Sequence, residues 1–347
     1  MPELYQQENE TMTGSKPPAK ETPIDAVIAW VDGDDPVLAD KRNKYINGGR
    51  ITAGSGAHPT RFASSNEIRY CVLSILRFAP FVRNIFIVTD EQDPCISADV
   101  RKYFPERSGS IRIVDHREIF KGYEKYLPTF NSISIANMIW RIKGLSENFV
   151  YFNDDTFLVR EVKPEDWFID GRPLLRGRWV PAPLPRAVWN RSRIFFNRRV
   201  LGRKSYEPRA SFHTGQWNAA FLLGFRLRYF TNSHTPHAVS RKPVEEYFSK
   251  NGPVLEKNIS FRFRDNSQFT FISLSNHLQL IEGNRNIAGA ALVYMKPEGR
   301  AAGYVKNKTD RCESDHSAIY MCIQGLEMCS QEDRDLLSGW LDRRLGL

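Results

Sequence analysis

Four short apolar segments, each ending in an acidic residue, alternate with helical patterns through the first half of the chain. Apolar runs of roughly four to eight residues, rich in Val, Ile and Phe, are typical of strands buried on both faces. The segments are "IDAVIAWVD" (24–32), "NIFIVTD" (84–90), "SIRIVDH" (110–116) and "FVYFNDD" (149–155). Strands that alternate with helices predict an α/β domain built on a mostly parallel sheet.

Helices are predicted between these strands. The segment 64–79 has apolar residues at helical spacing and ends before Pro80. The segment 132–144 has the same spacing, with Gly144 as a C-terminal cap. By contrast, the Pro- and Gly-rich residues 170–186 predict an irregular loop. Further helical patterns cover 187–202, 239–249, 266–282 and 331–344.

Acidic residues recur where the predicted strands end. They are Asp32, Asp90, Asp115, Asp154 and Asp155. Any one of them has an ordinary structural explanation, because Asp is common in the turns that follow strands. In parallel sheets, however, the carboxyl ends of the strands share one edge, and ligands bind outside it. The recurrence therefore predicts a carboxylate-bearing site at that edge.

The length and composition are those of a globular protein. The chain has 347 residues, and its 41% of apolar residues can form a large core. No apolar run approaches the roughly 18 residues that cross a bilayer. The polar, Pro-bearing start predicts a disordered leader, 1–22, before a single domain, 23–347. Five cysteines without a secretory signal indicate reduced thiols and a cytoplasmic location.

The positive charge of the chain is concentrated in one segment. The chain has a net charge of +9, and residues 171–209 hold ten Arg and one Lys against the single Glu207, a net +10. Trp and Phe side chains lie among them. This pattern suits an anionic partner: a phosphate-rich polymer, an acidic membrane surface or a nucleic acid. The alternative is a solvated arginine-rich helix with an internal aromatic stripe.

Several sequence blocks together resemble the Stealth family, which includes bacterial capsular polysaccharide phosphotransferases and the animal lysosomal-enzyme N-acetylglucosamine-1-phosphotransferase. The combination of "LPTFNS" with a following "YFNDD" is the specific part of the resemblance. The matching blocks cover more than half of the chain in the family's order. They are "IDAVIAWVDGDDP" (24–36), residues 61–162, residues 233–283 with "SHTPH" and "FRFRDNSQF", and a weaker block near "MCIQG".

The resemblance implies a nucleotide-sugar transferase (GT-A-like) fold, a mostly parallel Rossmann-like sheet with helical additions. These additions would be a basic insertion, 170–232, and a C-terminal helical segment, 305–347. The implied reaction transfers a sugar 1-phosphate from a nucleotide diphosphate sugar to a glycan hydroxyl, in capsule or surface polysaccharide synthesis. We expect a UDP-linked hexose or N-acetylhexosamine as donor and a nucleoside monophosphate as the second product.

The resemblance also implies roles for single residues. Asp154 and Asp155 match the family's acidic pair, whose hard oxygen ligands suit Mg²⁺ or Mn²⁺. Arg264 would clamp phosphate oxygens, and His234 would accept or donate a proton. The expected catalytic residues are Asp32, Asp155, His234 and Arg264. The residues expected to bind the substrates are Trp30, Gly33, Arg69, Asn131, Ser132, Asn153, His237 and Asp265.

One of these residues has an alternative role, and the chain departs from the family pattern at two positions. Arg69 also fits a plain ion pair on a helix surface, as many Arg residues do. In addition, the family usually has Glu, often followed by Ser, where this chain has Ala136 and Asn137. If that Glu binds the sugar or accepts a proton, this chain takes a different donor sugar, uses another base or is impaired.

Two other functions fit parts of the pattern. A metal-dependent glycosyltransferase would attack the anomeric carbon and release a nucleoside diphosphate. An anion- or nucleic-acid-binding protein would use the Arg-rich segment and ignore nucleotide sugars. We favour the phosphotransferase, with an anionic or lipid-linked glycan as acceptor and no nucleic-acid partner. We expect it in the cytoplasm, with peripheral contact to the inner face of the cell membrane through 171–209.

Overall fold

Short strands recur along the whole described part of the chain. The computed structural model describes residues 22–46, 67–183, 192–193, 195–202 and 211–347. The expected leader up to residue 21 lies outside these ranges, as do residues 187–191 and 194 of the predicted helix at 187–202. In chain order the strands are β1 (Ile24–Ala29), β2 (Ile85–Thr89), β3 (Ile111–Asp115), β4 (Asn148–Asn153), β5 (Thr156–Leu158), β6 (Phe168–Ile169), β7 (Arg172–Pro173), β8 (Leu175–Pro181), β9 (Arg228–Asn232), β10 (His237–Ser240), β11 (Ile287–Ala288), β12 (Leu292–Met295) and β13 (Tyr320–Ile323).

The largest described sheet has five strands in the order β10–β4–β1–β2–β3. β1 runs parallel to β2 and β4, and β2 runs parallel to β3. β10 pairs antiparallel with β4 at one edge. The four strands predicted from the sequence thus lie side by side, which confirms a mostly parallel α/β sheet. Nearly all residues of β1 and β4 are buried, so both strands are continuous apolar runs.

Helices cover both faces of this sheet. Within the described ranges, none is both long and apolar enough to cross a bilayer. In chain order they are α1 (Pro36–Ile46), α2 (Glu67–Phe78), α3 (Ser97–Tyr103), α4 (His116–Ile119), α5 (Ser132–Ala136), α6 (Phe212–Leu222), α7 (Arg241–Lys250), α8 (Gly252–Ile259), α9 (Phe271–Ile281), α10 (Tyr304–Ser314) and α11 (Gln331–Leu345). α2 and α11 pack on the face that carries Ile28, and α7, α8 and α9 pack on the face that carries Val27.

The helix predicted over 132–144 is interrupted. α5 ends before Asn137, and a short 3-10 turn follows. The side-chain amide of Asn137 donates to the backbone oxygens of Ile133 and Phe269, at 2.8 and 3.4 Å. An Asn side chain bonded to backbone carbonyls competes with continuation of a helix. The segment still ends as expected, because Gly144 has a left-handed φ of 81°.

Residues 170–186, predicted to be an irregular loop, contain β8. This strand pairs antiparallel with β9 and parallel with β11. The loop prediction rested partly on Gly177, but this glycine serves close packing. A Cβ atom at Gly177 would lie 2.2 Å from the backbone oxygen of Thr231 in β9. Glycine here permits the close approach of two strands, and its presence does not mark a turn.

The C-terminal segment 305–347, expected to be helical, also contains a strand. β13 lies between α10 and α11, and it pairs parallel with β12 and antiparallel with β5. All four residues of β13 are buried. A strand this short has no alternation of polar and apolar residues that would identify it in the sequence. Its pairing with β5 brings the end of β13 beside the turn that follows β4.

Candidate active site

A cleft of about 690 Å³ lies at the carboxyl ends of β1 to β4. The loop before β10 reaches the same edge, because β10 runs antiparallel to β4. Sequence segments that are far apart therefore meet in one place. Of the residues predicted to form a site, those that line the cleft are Trp30, Ser132, Asn153, Asp154, Asp155, His234, His237 and Arg264.

Asp154 and Asp155 form the turn between β4 and β5, and both are partly buried. Burial raises the pKa of both carboxyl groups, and the charges of Asp155 and Glu67 raise that of Asp154 further. The Thr156 hydroxyl donates a hydrogen bond to Asp155 at 3.2 Å, which offsets part of this effect. Neither carboxylate forms an ion pair with a Lys or Arg in the described residues. Among the described residues, the turn thus holds two neighbouring carboxyl groups without a basic partner.

Glu67 is a carboxylate of the cleft that the sequence analysis did not identify. It is the first residue of α2, it is only 6% exposed, and it lines the cleft. An acid in the first turn of a helix is commonplace, because it interacts favourably with the helix dipole. Its sequence context therefore gives no sign that this Glu is buried beside Asp154.

The acidic pair could hold a hard divalent cation. In the described part of the chain, no group of three or more His, Cys, Asp or Glu is arranged to hold a metal ion. A closed cage of protein ligands is therefore not available from these residues. Mg²⁺, however, usually keeps several waters and binds one or two carboxylates together with substrate phosphates. Asp154 and Asp155, which are adjacent, partly buried and without a basic partner in the part of the chain that is described, fit that mode of binding.

Arg264 brings a positive charge to the same cleft. It lies on the loop between α8 and α9, and its guanidinium donates a hydrogen bond to the hydroxyl of Ser132 at 2.5 Å. The neighbouring Asp265 does not line the cleft, because its carboxylate accepts from the backbone N–H and the hydroxyl of Ser267. Asp265 therefore shapes the turn that carries Arg264. A guanidinium and two carboxylates in one cleft could bind a diphosphate together with its cation.

His234 lies in the loop before β10. Its ring is stacked between Phe212 and Tyr294, with centroid separations of 4.7 and 5.8 Å. Burial, and to a smaller extent His213, lower the pKa of His234 below its ordinary value. The ring is therefore neutral near pH 7. A neutral imidazole has one N–H group, so the hydrogen bond at one nitrogen determines what the other can do.

Gln324, just after β13, connects this histidine to the acidic pair. Its Oε1 accepts from the Tyr294 hydroxyl at 2.7 Å, and its Nε2 lies 3.4 Å from Nδ1 of His234. The Gln324 side chain also lowers the pKa of Asp155 through a hydrogen bond. An amide nitrogen only donates, so this contact is a hydrogen bond in the tautomer that accepts at Nδ1 and carries its proton on Nε2. Gln324 belongs to the weak "MCIQG" block, in which the sequence analysis assigned no residue.

His237, the first residue of β10, supports the loop that carries His234. Its Nε2 lies 3.1 Å from the backbone oxygen of Ser233 and 3.2 Å from the amide nitrogen of Asn232. Burial lowers the pKa of His237 to about 3. The side chain lines the cleft, but its polar contacts are with Asn232 and Ser233 in the preceding turn. It therefore positions this loop.

Some predicted residues do not line the cleft: Asp32, Gly33, Arg69, Asn131 and Asp265. Arg69 forms ion pairs with Asp99 at 2.8 Å and with Asp342 at 3.5 Å. These contacts hold its guanidinium at the helix surface. They match the alternative considered for Arg69, an ion pair on a helix surface. In this structure Arg69 links α2 to α3 and α11.

Asn131 and Asp32 have structural roles next to the cleft. Asn131 is fully buried and caps α5, where its side chain accepts from the backbone N–H of Ile133. Asp32 accepts from the backbone N–H of Asp34 at 3.0 Å in the turn that includes Gly33. These side chains shape the loops after β1 and before α5. The sequence located the right segments but did not separate cleft-lining residues from their supports.

Solved structures with a similar course of the chain include a galactosyltransferase and a glycosyltransferase. The galactosyltransferase LgtC, in complex with donor and acceptor sugar analogues, is 12% identical, with a TM-score of 0.44, over 93% of this chain and 95% of that one. The glycosyltransferase GlyE of Streptococcus pneumoniae is 10% identical, with a TM-score of 0.38, over 94% of this chain and 62% of that one.

Three sequence relatives are polysaccharide phosphotransferases by name. An exopolysaccharide phosphotransferase of Streptomyces coelicolor is 46% identical over 42% of this chain and 25% of its own length. A second one is 30% identical over 78% of this chain and 41% of its own length. The receptor polysaccharide phosphotransferase WefC of Streptococcus oralis is 29% identical over 78% of this chain and 81% of its own length. The chain thus spans well under half the length of the first two relatives.

Two family models match in the expected order. Residues 22–50 match Stealth protein CR1, conserved region 1, and residues 61–173 match Stealth protein CR2, conserved region 2. The second match includes the segment that carries Glu67 and the Asp154–Asp155 turn. These matches agree with the first two blocks of the resemblance, 24–36 and 61–162. The chain belongs to the Stealth family.

Proposed function

We propose that this protein transfers a sugar 1-phosphate from a nucleotide diphosphate sugar to a hydroxyl group of a glycan, in the synthesis of capsular or extracellular polysaccharide. One observation carries the proposal: a single cleft joins Arg264 and a neutral His234 with a carboxylate pair that has no basic partner in the described ranges. The names of the polysaccharide phosphotransferase relatives support the substrate class.

The proposed reaction is a displacement at phosphorus. The acceptor oxygen bonds to the β-phosphorus, the bond from that phosphorus to the bridging oxygen breaks, and the proton of the acceptor hydroxyl leaves with the released nucleoside monophosphate. Phosphoryl transfer depends mainly on positioning and on stabilising charge. Arg264 would bind phosphate oxygens, with its guanidinium oriented by Ser132. The neutral ring of His234 would donate a hydrogen bond to a phosphate oxygen or to the leaving group.

A divalent cation would complete this site. We propose that Asp154 and Asp155 hold Mg²⁺ or Mn²⁺. When bound, the cation would neutralise charge on the diphosphate. The raised pKa values of the pair support this role, because both carboxylates are held in a site that penalises their charge. Ala136 also lines the cleft, at the position where the resemblance to the family leads one to expect Glu, so we expect a different donor sugar or a different base.

The acceptor is proposed to be an anionic or lipid-linked glycan, with the basic segment 171–209 in contact with the membrane surface. In the described part of this segment, Phe195, Phe196 and Val200 are 65%, 52% and 60% exposed. Arg198 and Arg199 are exposed beside them. Exposed apolar side chains among arginines suit the interface of an anionic bilayer.

The decisive experiment identifies the released nucleotide. The protein is incubated with Mg²⁺, an anionic glycan and a panel of nucleotide sugars, and the products are analysed by mass spectrometry. We expect a nucleoside monophosphate and a glycan that gains a sugar phosphate, and no product from Asp155→Asn. Release of a nucleoside diphosphate would instead establish a glycosyltransferase. Salt-sensitive binding of RNA without any turnover would establish an anion-binding protein.

A further inference from the structure

The 221–228 turn, which comprises the end of α6, the connection and the first residue of β9, exposes large apolar side chains. Leu227 is 83% exposed, more than any other large apolar side chain in the described part of the chain. Phe221 and Leu222, the last two residues of α6, are 48% and 40% exposed. Single exposed apolar residues are ordinary, but several together indicate a surface that contacts a partner or a membrane.

Hydrogen bonds and ring packing hold this turn in one conformation. The backbone N–H of Phe225 donates to the oxygen of Ala220 at 3.0 Å, and that of Ala182 donates to the oxygen of Leu227 at 2.8 Å. The ring of Phe225 is partly buried, with its centre 5.9 Å from that of Trp179. The fold thus packs one aromatic residue of the turn inward. The exposure of the other apolar side chains follows from a defined backbone.

Two arginines stand among these apolar side chains. The guanidinium of Arg226 lies over the ring of Phe221, 3.8 Å from its centre, and that of Arg228 lies 4.7 Å from the centre of the Trp179 ring. Both arginines are exposed. Stacking on aromatic rings orients a guanidinium and leaves its positive charge available to an anion.

The charge of the wider region identifies the partner. Residues 171–240 contain 12 Arg and one Lys against the single Glu207, a net +12, so the basic segment continues through the 221–228 turn. A bilayer with anionic lipids complements this surface. Its phosphate groups bind arginines, and the boundary between head groups and acyl chains accommodates apolar side chains. The turn therefore has the charge and the apolar surface of a membrane contact.

The helix α6 connects this turn to the cleft. Its first residue, Phe212, lines the cleft and stacks on the ring of His234, whereas its last residue, Leu222, belongs to the turn. The ends of a helix of 11 residues are about 15 Å apart. The wall of the cleft at Phe212 therefore lies within about 15 Å of a surface on which Leu222 rests. An acceptor anchored in that surface needs only a short glycan to bring a hydroxyl group to the cleft.

We propose that the 221–228 turn docks on an anionic bilayer, and that the acceptor is a glycan linked to a lipid of that bilayer. The identity of the acceptor rests on the proposed function, whereas the docking does not depend on it. The turn adds a second membrane contact to the one proposed for the basic segment 171–209. Through α6, it also limits the distance between the membrane and the cleft.

Flotation of the whole chain with vesicles of phosphatidylglycerol and phosphatidylcholine tests the docking. Leu227→Gln should lower vesicle affinity about tenfold, because one large apolar side chain no longer transfers from water to the bilayer. The matched control is Ile113→Gln, at a 43% exposed position on β3, and it should bind vesicles like the wild type. Thermal melting checks that both variants fold.

A fluorescent label shows which residue enters the bilayer. Of the five cysteines only Cys95 is exposed, so Cys95→Ser removes the accessible thiol. In that background a nitrobenzoxadiazole label is attached to Leu227→Cys or to Ile113→Cys. Vesicles with nitroxide-labelled lipids should quench the label at 227 and leave the label at 113 unquenched. The absence of quenching at 227 would overturn the docking.

Three further outcomes would also overturn the docking. They are a wild-type protein that does not bind the vesicles, an equal loss of affinity in Leu227→Gln and Ile113→Gln, and a dimer in solution that Leu227→Gln dissociates. The last outcome would show that a second copy of the chain covers the turn. Analytical ultracentrifugation without lipid measures it.

A turnover assay tests the acceptor separately. The same anionic glycan is supplied either free or coupled to phosphatidylethanolamine in vesicles, and its products are identified by mass spectrometry. Leu227→Gln should modify the coupled glycan about tenfold more slowly than the wild type and the free glycan equally fast. Equal rates on both forms would refute a lipid-linked acceptor and leave sugar-phosphate transfer intact. No transfer to either form would refute the proposed function, while the vesicle-binding result would stand.

Discussion

At the scale of single residues, the acidic pair shows a conflict between stability and function. Asp154 and Asp155 are adjacent, partly buried and without a basic partner in the described residues, and their pKa values are raised for that reason. A raised pKa means that the folded state disfavours the charged form of these carboxyl groups. A protein retains such a site when the charge has a use, such as holding a cation for catalysis.

Asp155→Asn should therefore separate the contribution of this carboxylate to activity from its effect on stability. We expect turnover to fall at least about 100-fold, since even partners of a metal ligand typically contribute 10 to 100-fold. The melting temperature of the metal-free protein should be unchanged or higher, because a repelled charge is removed. Activity assays with a Mg²⁺ titration, together with thermal melting in EDTA, measure both. Full activity in Asp155→Asn would eliminate the metal site proposed here.

Gln324 should act as a positioning residue for His234. Gln324→Glu replaces the donor at Nδ1 with a carboxylate, which should raise the pKa of His234 and move its proton to Nδ1. We expect kcat to fall about 10 to 100-fold, as for other groups that orient a functional side chain. An NMR titration of the histidines measures the shift directly. The control is Gln331→Glu, which makes the same change at an exposed position on α11. An unchanged pKa of His234 in Gln324→Glu would contradict the hydrogen bonds described above.

At the scale of elements, the direction of each strand determines what it brings to the cleft. The parallel strands β1 to β4 end at the cleft, so the residues that follow them line it. β10 runs the other way and pairs His237 with Tyr151, so it is the loop before β10 that reaches this edge. This reversal explains how His234, which lies before β10, and Asp155, which follows β4, line the same cleft. β13 adds Gln324 through its pairing with β5.

The short π-helical turn Phe196–Val200 should contact anionic membranes. Arg198→Gln with Arg199→Gln removes two charges, each of which contributes about 1 kcal/mol near an anionic surface, so vesicle affinity should fall about 30-fold. Flotation with vesicles of phosphatidylglycerol and phosphatidylcholine measures the change. Arg101→Gln with Lys102→Gln, an exposed basic pair on α3, is the matched control. An equal loss in both double variants would indicate attraction by net charge alone.

At the scale of the whole molecule, the sequence predicts the features of the fold that depend on local sequence patterns. The four parallel strands were identifiable because burial on both faces makes each an unbroken apolar run. Their shared edge then followed from the topology of parallel sheets. Glu67 and Gln324 were not identifiable, because their burial depends on contacts between distant segments. Gln324, for example, reaches the cleft only through the pairing of β13 with β5, about 160 residues earlier in the chain.

The stability of the sheet should depend on a buried carboxylate at the edge opposite the cleft. Asp25, near the start of β1, is fully buried, and it accepts two hydrogen bonds from the Arg83 guanidinium, at 2.9 and 2.6 Å. It also accepts from the backbone N–H groups of Asn84 and Ser146, at 3.1 and 2.7 Å. One side chain therefore joins β1 to the segments that lead into β2 and β4.

Asp25→Asn should lower the free energy of unfolding by about 2–4 kcal/mol, because an amide cannot accept all four bonds and leaves buried donors unpaired. Urea denaturation at pH 7 measures this loss. Asp310→Asn removes an exposed ion pair with Lys306 on α10 and should change stability by less than about 0.5 kcal/mol. Nucleotide affinity should be the same in both variants well below their melting temperatures, since Asp25 lies away from the cleft. A weakened affinity in Asp25→Asn alone would show that the two edges of the sheet are coupled.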